Sequence, residues 1–255
     1  TETLAMLERE ARLALRRARD VPCHGGHALT DPDGQIPSDA WPLTAHRSGY
    51  LEQVFQEAVQ AGAEAADAQV FLTTWVGQFV VEGAVLAWVR TPDGASGEGL
   101  QKLLREALPL ADARSFEQDP LFGLTVLAEV GTRALSPGVN DPGTAIDVVN
   151  RLGALVAQAG VSVPQDHAPS CSRLWAMPLS PVAVFEVSFA PLAHCAGDTV
   201  EVHLALQSSL RQVIAQTQDA ALRREAELMA QRTMQRAQSQ ITFPPDLERL
   251  RAAIL

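Results

Sequence analysis

A chain of 255 residues is long enough to bury a full hydrophobic core, as one large domain or two small ones. Its hydrophobic fraction of 47% and charged fraction of 20% argue against both a disordered chain and a membrane-embedded one. The net charge of −10 repels nucleic acid backbones, so we expect no nucleic acid partner.

The amino-terminal segment predicts an amphipathic helix. Leucines and alanines recur at helical spacing from Leu4 to Ala18, and the opposite face is rich in arginine. Prolines and glycines then punctuate the polar stretch from Asp20 to Trp41, which predicts a linker or long loop without a sustained helix or central strand.

The following region predicts a small mixed β module. Runs of β-branched and aromatic residues predict strands over Leu43 to Val54, Ala68 to Trp75, Gln78 to Arg90 and Leu110 to Ser115. We expect the first to turn at Ser48 and Gly49, and the last to return to the same sheet. Helix-favouring segments between these strands are Gln56 to Ala66 and Glu98 to Ala107.

The second half of the chain predicts mainly helices. The pairs Asp119-Pro120 and Asp141-Pro142 each combine an N-cap residue with a first-turn proline, and the helices they begin run to about Leu135 and Gly160. A β-branched run alone would make Ser180 to Cys195 a strand, but the capping residues favour a helix. The remaining predicted elements are a strand over Leu174 to Met177 and helices over Asp198 to Gln216, Asp219 to Ser239 and Pro245 to Ile254.

These elements predict the α+β class, with a small mixed β module followed by a larger all-helical domain. The predicted divisions are the amphipathic helix and loop over 1–40, the β module over 41–116 and the helical domain over 117–255.

Six polar residues form a candidate ligand-binding set around the two helix starts: Arg114, Asp119, Arg133, Asn140, Asp141 and Thr144. Helix N-termini bind anions, and carboxylate and amide oxygens bind hard cations. The structural alternative, which we favour, has Asp141 capping its own helix and Arg133 pairing with Asp119 or Asp141 as a buried strut. No activated nucleophile accompanies the set, so we predict no catalytic residue.

A second, weaker candidate is a transition-metal site. Cys23, His24 and His27 lie close together in the chain, and His46 is available as a fourth ligand. Their spacing matches no familiar zinc pattern. The sequence therefore assigns no metal and no cofactor.

The most distinctive stretches are Gln118-Asp-Pro-Leu-Phe-Gly-Leu124 and Arg133-Ala-Leu-Ser-Pro-Gly-Val-Asn-Asp-Pro-Gly-Thr-Ala145. They resemble the signature of a bacterial predicted membrane protein family, domain of unknown function 2254. The resemblance implies membrane helices ahead of the present chain, and a juxtamembrane position for residues 1–40. Five arginines among the first twenty residues suit the cytoplasmic side of a cell membrane.

From this resemblance we expect a soluble, non-enzymatic binding, assembly or gating module of a membrane protein, forming a homo-oligomer through its helical faces. The alternative is a hydrolase whose polar pocket surrounds the connector from Ser136 to Thr144. An enzyme needs its polar side chains to converge on one cavity, whereas a structural role would have them buried and bonded to one another.

Overall fold

The computed structural model describes residues 2–164 and 168–252, and the chain forms two compact units. The helical unit consists of Thr1–Arg16, Leu121–Ser162 and Ser180–Leu255, and the sheet unit of Arg17–Pro120 and Val163–Leu179. Both small sheets and many helices are present, so the predicted α+β class is confirmed. The helical unit gathers residues from both ends of the chain, and the division into domains at 1–40, 41–116 and 117–255 stays a prediction.

Two sheets make up the centre of the sheet unit. The five-stranded sheet has the order β1-β8-β4-β6-β2, with strands His27–Ala28, Leu174–Ala176, Gln69–Leu72, Val85–Arg90 and Trp41–Thr44. The three-stranded sheet has the order β5-β3-β7, with strands Phe79–Val80, Gly49–Leu51 and Leu110–Ala111. Strand β8 runs parallel to β1 and β4, while the other pairs are antiparallel, which makes the larger sheet mixed as expected.

The core of the sheet unit lies on one face of the larger sheet. Val70 and Leu72 alternate along β4 and are buried on this face, and Phe71 between them is buried on the other face. Val59 of α3 (Gln56–Ala65) and Leu104 of α4 (Glu98–Ala107) belong to the same buried cluster. On the other face the rings of His27, Trp175 and Phe71 stack in sequence, at centroid distances of 4.5 and 4.9 Å.

Three predictions for this region are wrong in detail. The strand expected to turn at Ser48 and Gly49 forms β2 and β3, and these two parts belong to different sheets. Strand β7 pairs with β3 and so does not return to the larger sheet. The predicted linker contains a 3-10 turn (Pro22–Gly25), the edge strand β1 and the one-turn helix α2 (Pro32–Gln35). Pairing partners far away in the sequence decide the strands, so local patterns could not reveal them. Helix α2 begins at a local cap, where Asp31 accepts from the main-chain N of Gly34, and this signal was missed in the sequence.

The helical unit contains eight helices among its described residues, counting α1, which continues into the sheet unit. They are α1 Glu2–Asp20, α5 Phe122–Ala134, α6 Pro142–Gln158, α7 Pro181–Ser188, α8 Ala190–Cys195, α9 Val200–Gln216, α10 Ala220–Gln240 and α11 Pro244–Ala252. Helices α6 and α9 approach closely at Gly153, where an added Cβ would lie 2.0 Å from Oγ of Ser209. A side chain at that position would therefore displace the Ser209 hydroxyl, which donates to the carbonyl of Val149 at 3.2 Å.

Two helix boundaries differ from those predicted. Helix α5 begins at Phe122, two residues later than expected, and Pro120 lies in the preceding turn. The helix predicted over Ser180 to Cys195 is interrupted at Phe189, because Pro191 has no amide hydrogen to continue the pattern. The predicted end of the last helix at Ile254 lies outside the described residues.

No helix within residues 2–164 and 168–252 is both long enough and apolar enough to cross a bilayer.

Candidate functional site

In the sheet unit, Arg114 and Asp119 form a two-pronged ion pair. Nε of Arg114 donates to Oδ2 of Asp119 at 2.7 Å, and Nη2 donates to Oδ1 at 3.0 Å. Asp119 is completely buried, and the Arg114 side chain is 22% exposed. Gly77, at φ +89°, lies directly against the carboxylate, since an added Cβ would be 1.9 Å from Oδ2. The protein encloses this pair, and the two opposite charges neutralise each other.

The two residues before Asp119 are also engaged in structural contacts. The amide of Gln118 accepts from the Val54 main-chain N at 2.9 Å and donates to the Val54 carbonyl at 3.3 Å. Nη1 of Arg17 donates to the carbonyl of Glu117 at 2.8 Å. These contacts join segments 64 to 100 residues apart in the chain. The residues around the Gln-Asp-Pro stretch therefore hold distant segments of the sheet unit together.

In the helical unit, Asp141 caps α6. Its Oδ1 accepts from the main-chain N of Thr144 at 3.0 Å, and its Oδ2 accepts from the Thr144 hydroxyl at 2.6 Å. The pKa of Asp141 is lowered because both bonds favour the ionised carboxylate, and the bond from the Thr144 hydroxyl contributes most. The predicted capping role is confirmed, and Asp141 occupies the N-terminal amide that a bound anion would need.

The rest of the connector is a solvent-exposed turn held by local bonds. Asn140 lies at φ +49°, and its main-chain N donates to the carbonyl of Ser136 at 2.9 Å. The Ser136 hydroxyl donates to the carbonyl of Arg133 at 2.7 Å. The Arg133 side chain is exposed, so the buried strut that we predicted for it is wrong. Its place in the last turn of α5 points the long side chain into water.

The candidate set therefore falls into two groups. Arg114 and Asp119 contact each other in the sheet unit, whereas Asn140, Asp141 and Thr144 are neighbours at the start of α6 in the helical unit. Ligand binding by either group stays a prediction.

The histidine and cysteine group near residue 25 has an unusual backbone. Cys23 and His24 lie consecutively at φ +52° and +54°, a left-handed conformation that is strained for such residues. Burial raises the pKa of Cys23 to about 11 and lowers that of His24 to about 4. Among the described residues, no three His, Cys, Asp or Glu side chains are grouped closely enough to hold a metal ion.

One structural anchor was missed by our sequence reasoning. Asp219 begins α10, as expected, but it also accepts bonds from Val161 N at 2.9 Å and from Ser162 N and Oγ at 2.7 and 2.8 Å. Burial alone would raise the pKa of Asp219, yet the bonds from Ser162 and Val161 outweigh it, and the pKa is lowered. The capping position was visible in the sequence, whereas the partners lie 57 and 58 residues away.

An ion-pair network was missed as well. Glu8 of α1 accepts from Arg151 of α6 and from Arg12 on its own helix, at 2.6 Å in each case. Nε of Arg151 also donates to Asp147 at 3.0 Å. The bonds to Asp147 and Glu8 raise the pKa of Arg151, and the bond to Asp147 has the larger effect. The network fixes α1 on α6, so the first helix is an integral part of the helical unit.

The fold and these sites define an α+β protein whose signature residues support its architecture. Comparison with known proteins gives its family: residues 1–212 match the model described as "Predicted membrane protein (DUF2254)", and the chain belongs to this family. The membership confirms the resemblance seen in the sequence.

Several curated relatives are uncharacterised mycobacterial proteins. The chain is 37% identical over 134 residues to Rv1290c of Mycobacterium tuberculosis and to Mb1321c of Mycobacterium bovis. The matched segment covers 51% of this chain but 26% of each relative, so the comparison spans only a minor part of those proteins. No solved structure matches the chain.

Proposed function

We propose that this chain is a non-enzymatic binding, assembly or gating module of a membrane protein. The observation that carries the proposal is that both acids of the signature stretches, Asp119 and Asp141, are bonded to neighbouring residues. Asp119 is fully buried and neutralised by Arg114, and Asp141 is bonded to Thr144 at the start of its helix. Acids used in this way stabilise the fold and leave no free group to transfer a proton.

The membrane context comes from the family, whose members are described as predicted membrane proteins. We extend it to a cytoplasmic orientation, with membrane helices preceding this chain. Arginine-rich segments next to membrane helices are enriched on the cytoplasmic side, and α1 carries five arginines. Assembly as a homo-oligomer through exposed helical faces is part of the proposal.

Light scattering on the purified chain tests the assembly role. We expect a mass of at least two 27.3 kDa chains that does not fall on dilution across the working range. A mass equal to one chain at every concentration would contradict assembly by this part of the protein.

The alternative, a hydrolase at the Ser136 to Thr144 connector, requires a separate test. A panel of ester and phosphoester substrates should give no turnover that depends on the connector. The informative variant is Asn140→Gly, which keeps the backbone conformation at φ +49° but removes the side chain. Hydrolysis by the natural chain that disappears in this variant, with unchanged thermal stability, would replace our proposal with the enzyme.

A further inference from the structure

Helix α1 has one face committed to the helical unit. Leu4, Leu7, Ala11 and Leu15 are buried, and an added Cβ at Gly123 of α5 would lie 2.5 Å from the Cβ of Ala11. The Glu8 to Arg151 ion pair holds the same helix from the side. The rotation of α1 about its axis is therefore fixed, and its opposite face must point away from the unit.

That opposite face is a stripe of Met6, Arg9, Leu13 and Arg16, which we call the outer stripe. These residues are three or four positions apart and so lie in one row along the helix, and the exposed acids Glu2 and Asp20 continue that row at its two ends. Met6 is 49% exposed and Leu13 is 55% exposed, while Arg9 pairs with Glu10 at 3.3 Å and keeps 71% of its side chain exposed. Large apolar side chains alternating with arginines are typical of helices that lie in the plane of a membrane surface.

We propose that the outer stripe lies on the anionic headgroups of a phospholipid bilayer. This inference rests on the proposed function, which places the chain beside a membrane. Helix α1 carries five arginines and four acids, in a chain whose net charge is −10. Among its exposed side chains the arginines outnumber the acids four to two: Arg9, Arg16, Arg17 and Arg19 against Glu2 and Asp20. Charges beyond about 8 Å are screened at physiological salt, so this local excess of positive charge decides the attraction to lipid.

A second copy of the chain fits the stripe less well. A symmetric dimer would place each stripe against its own counterpart and so gather four arginines, Arg9 and Arg16 from each copy, in one interface. Like charges placed opposite each other oppose association. Four side chains also cover much less than the roughly 800 Å² per partner that a stable interface buries.

Vesicle flotation tests this proposal with the purified 255-residue chain. We expect the chain to float with phosphatidylcholine vesicles in which about a third of the lipid is phosphatidylglycerol, and to float far less with phosphatidylcholine alone. The double variant Arg9→Gln/Arg16→Gln should weaken binding about 30-fold, roughly fivefold for each arginine. Met6→Ser/Leu13→Ser should weaken it about tenfold through lost apolar burial.

The matched control is Leu228→Ser/Phe243→Ser. These apolar residues are also exposed on the helical unit, at 42% and 60%, but lie outside the outer stripe. Their replacement should leave flotation unchanged, and circular dichroism should show native helix content in all three double variants.

Three results would overturn the proposal. They are no flotation with anionic vesicles, flotation that the outer-stripe variants do not change, and a dimer in light scattering that Met6→Ser/Leu13→Ser abolishes. The last result would assign the stripe to a second copy. Failure here leaves the assembly test intact, because oligomer mass is measured without lipid.

Discussion

Replacing Gly77 by alanine tests whether Asp119 is a structural acid. Gly77 lies at φ +89°, so alanine there costs about 1–2 kcal/mol in backbone strain alone. The new Cβ would also lie 1.9 Å from Oδ2 of Asp119, and the carboxylate must leave its position against Arg114. Breaking one side of a buried ion pair costs about 3–5 kcal/mol.

We therefore expect Gly77→Ala to lower the free energy of unfolding by about 4–7 kcal/mol, a large part of the roughly 5–15 kcal/mol available to a folded domain. The control is Gly83→Ala in the same region. Gly83 has a similar φ of +83°, but an added Cβ would meet no atom within 4 Å. It should cost about 1–2 kcal/mol, the strain alone.

Urea denaturation followed by tryptophan fluorescence is the assay. All four tryptophans lie in the sheet unit: Trp41, Trp75, Trp88 and Trp175. Both glycines lie there too, so the fluorescence signal reports the unfolding of the unit that carries the substitutions. Equal destabilisation by the two variants would refute the reasoning. A second check is that Gly77→Ala should cost much less in an Asp119→Ala background, because the clash is then absent.

Gly153→Ala should lower the stability of the helical unit by about 1–3 kcal/mol, seen as a lower urea midpoint in far-ultraviolet circular dichroism, because the methyl group displaces Ser209. Protonation of His24 favours the unfolded chain, since its pKa falls from 6.5 to about 4 on folding. Stability measured by urea titration should therefore decline as pH falls from about 6.5 to 4, and less so in His24→Asn. The pKa of Asp219 is lowered on folding from its ordinary value of 3.8, so the ionised carboxylate stabilises the fold above pH 3.8, and this stabilisation is lost as the pH falls further. Asp219→Asn should therefore cost about 1–3 kcal/mol at neutral pH and less in acid.

Each of these predictions has a control or a contradicting result. Gly143→Ala, in the same helix as Gly153, should be tolerated, because its nearest atom would be 3.4 Å away. For His24, a decline of stability between pH 6.5 and 4 that is equally large in His24→Asn would contradict the assignment. Asparagine also suits the positive φ of position 24. An Asp219→Asn variant as stable as the natural chain at neutral pH would contradict the anchoring role.

Local patterns in the sequence identified part of the candidate site. Asp141 was predicted to cap its helix because an acid before a proline at a helix start satisfies main-chain amides within three residues. The burial of the Arg114 to Asp119 pair beneath Gly77 depends on a folded turn that brings Gly77, distant in the sequence, against the carboxylate. Nothing in the local sequence indicated that Arg133 would instead point into solvent.

The sequence by itself determined the family, the α+β class and most helices, because capping residues, helical spacing and a long signature stretch act within a few positions of one another. Only the tertiary structure decided that β2 and β3 enter different sheets, that β8 from the second half completes the larger sheet, and that α1 is fixed by Arg151. Those outcomes depend on partners that lie tens to more than a hundred residues away. Strand pairing and side-chain burial select such partners in the folded chain, and a local pattern carries no record of them.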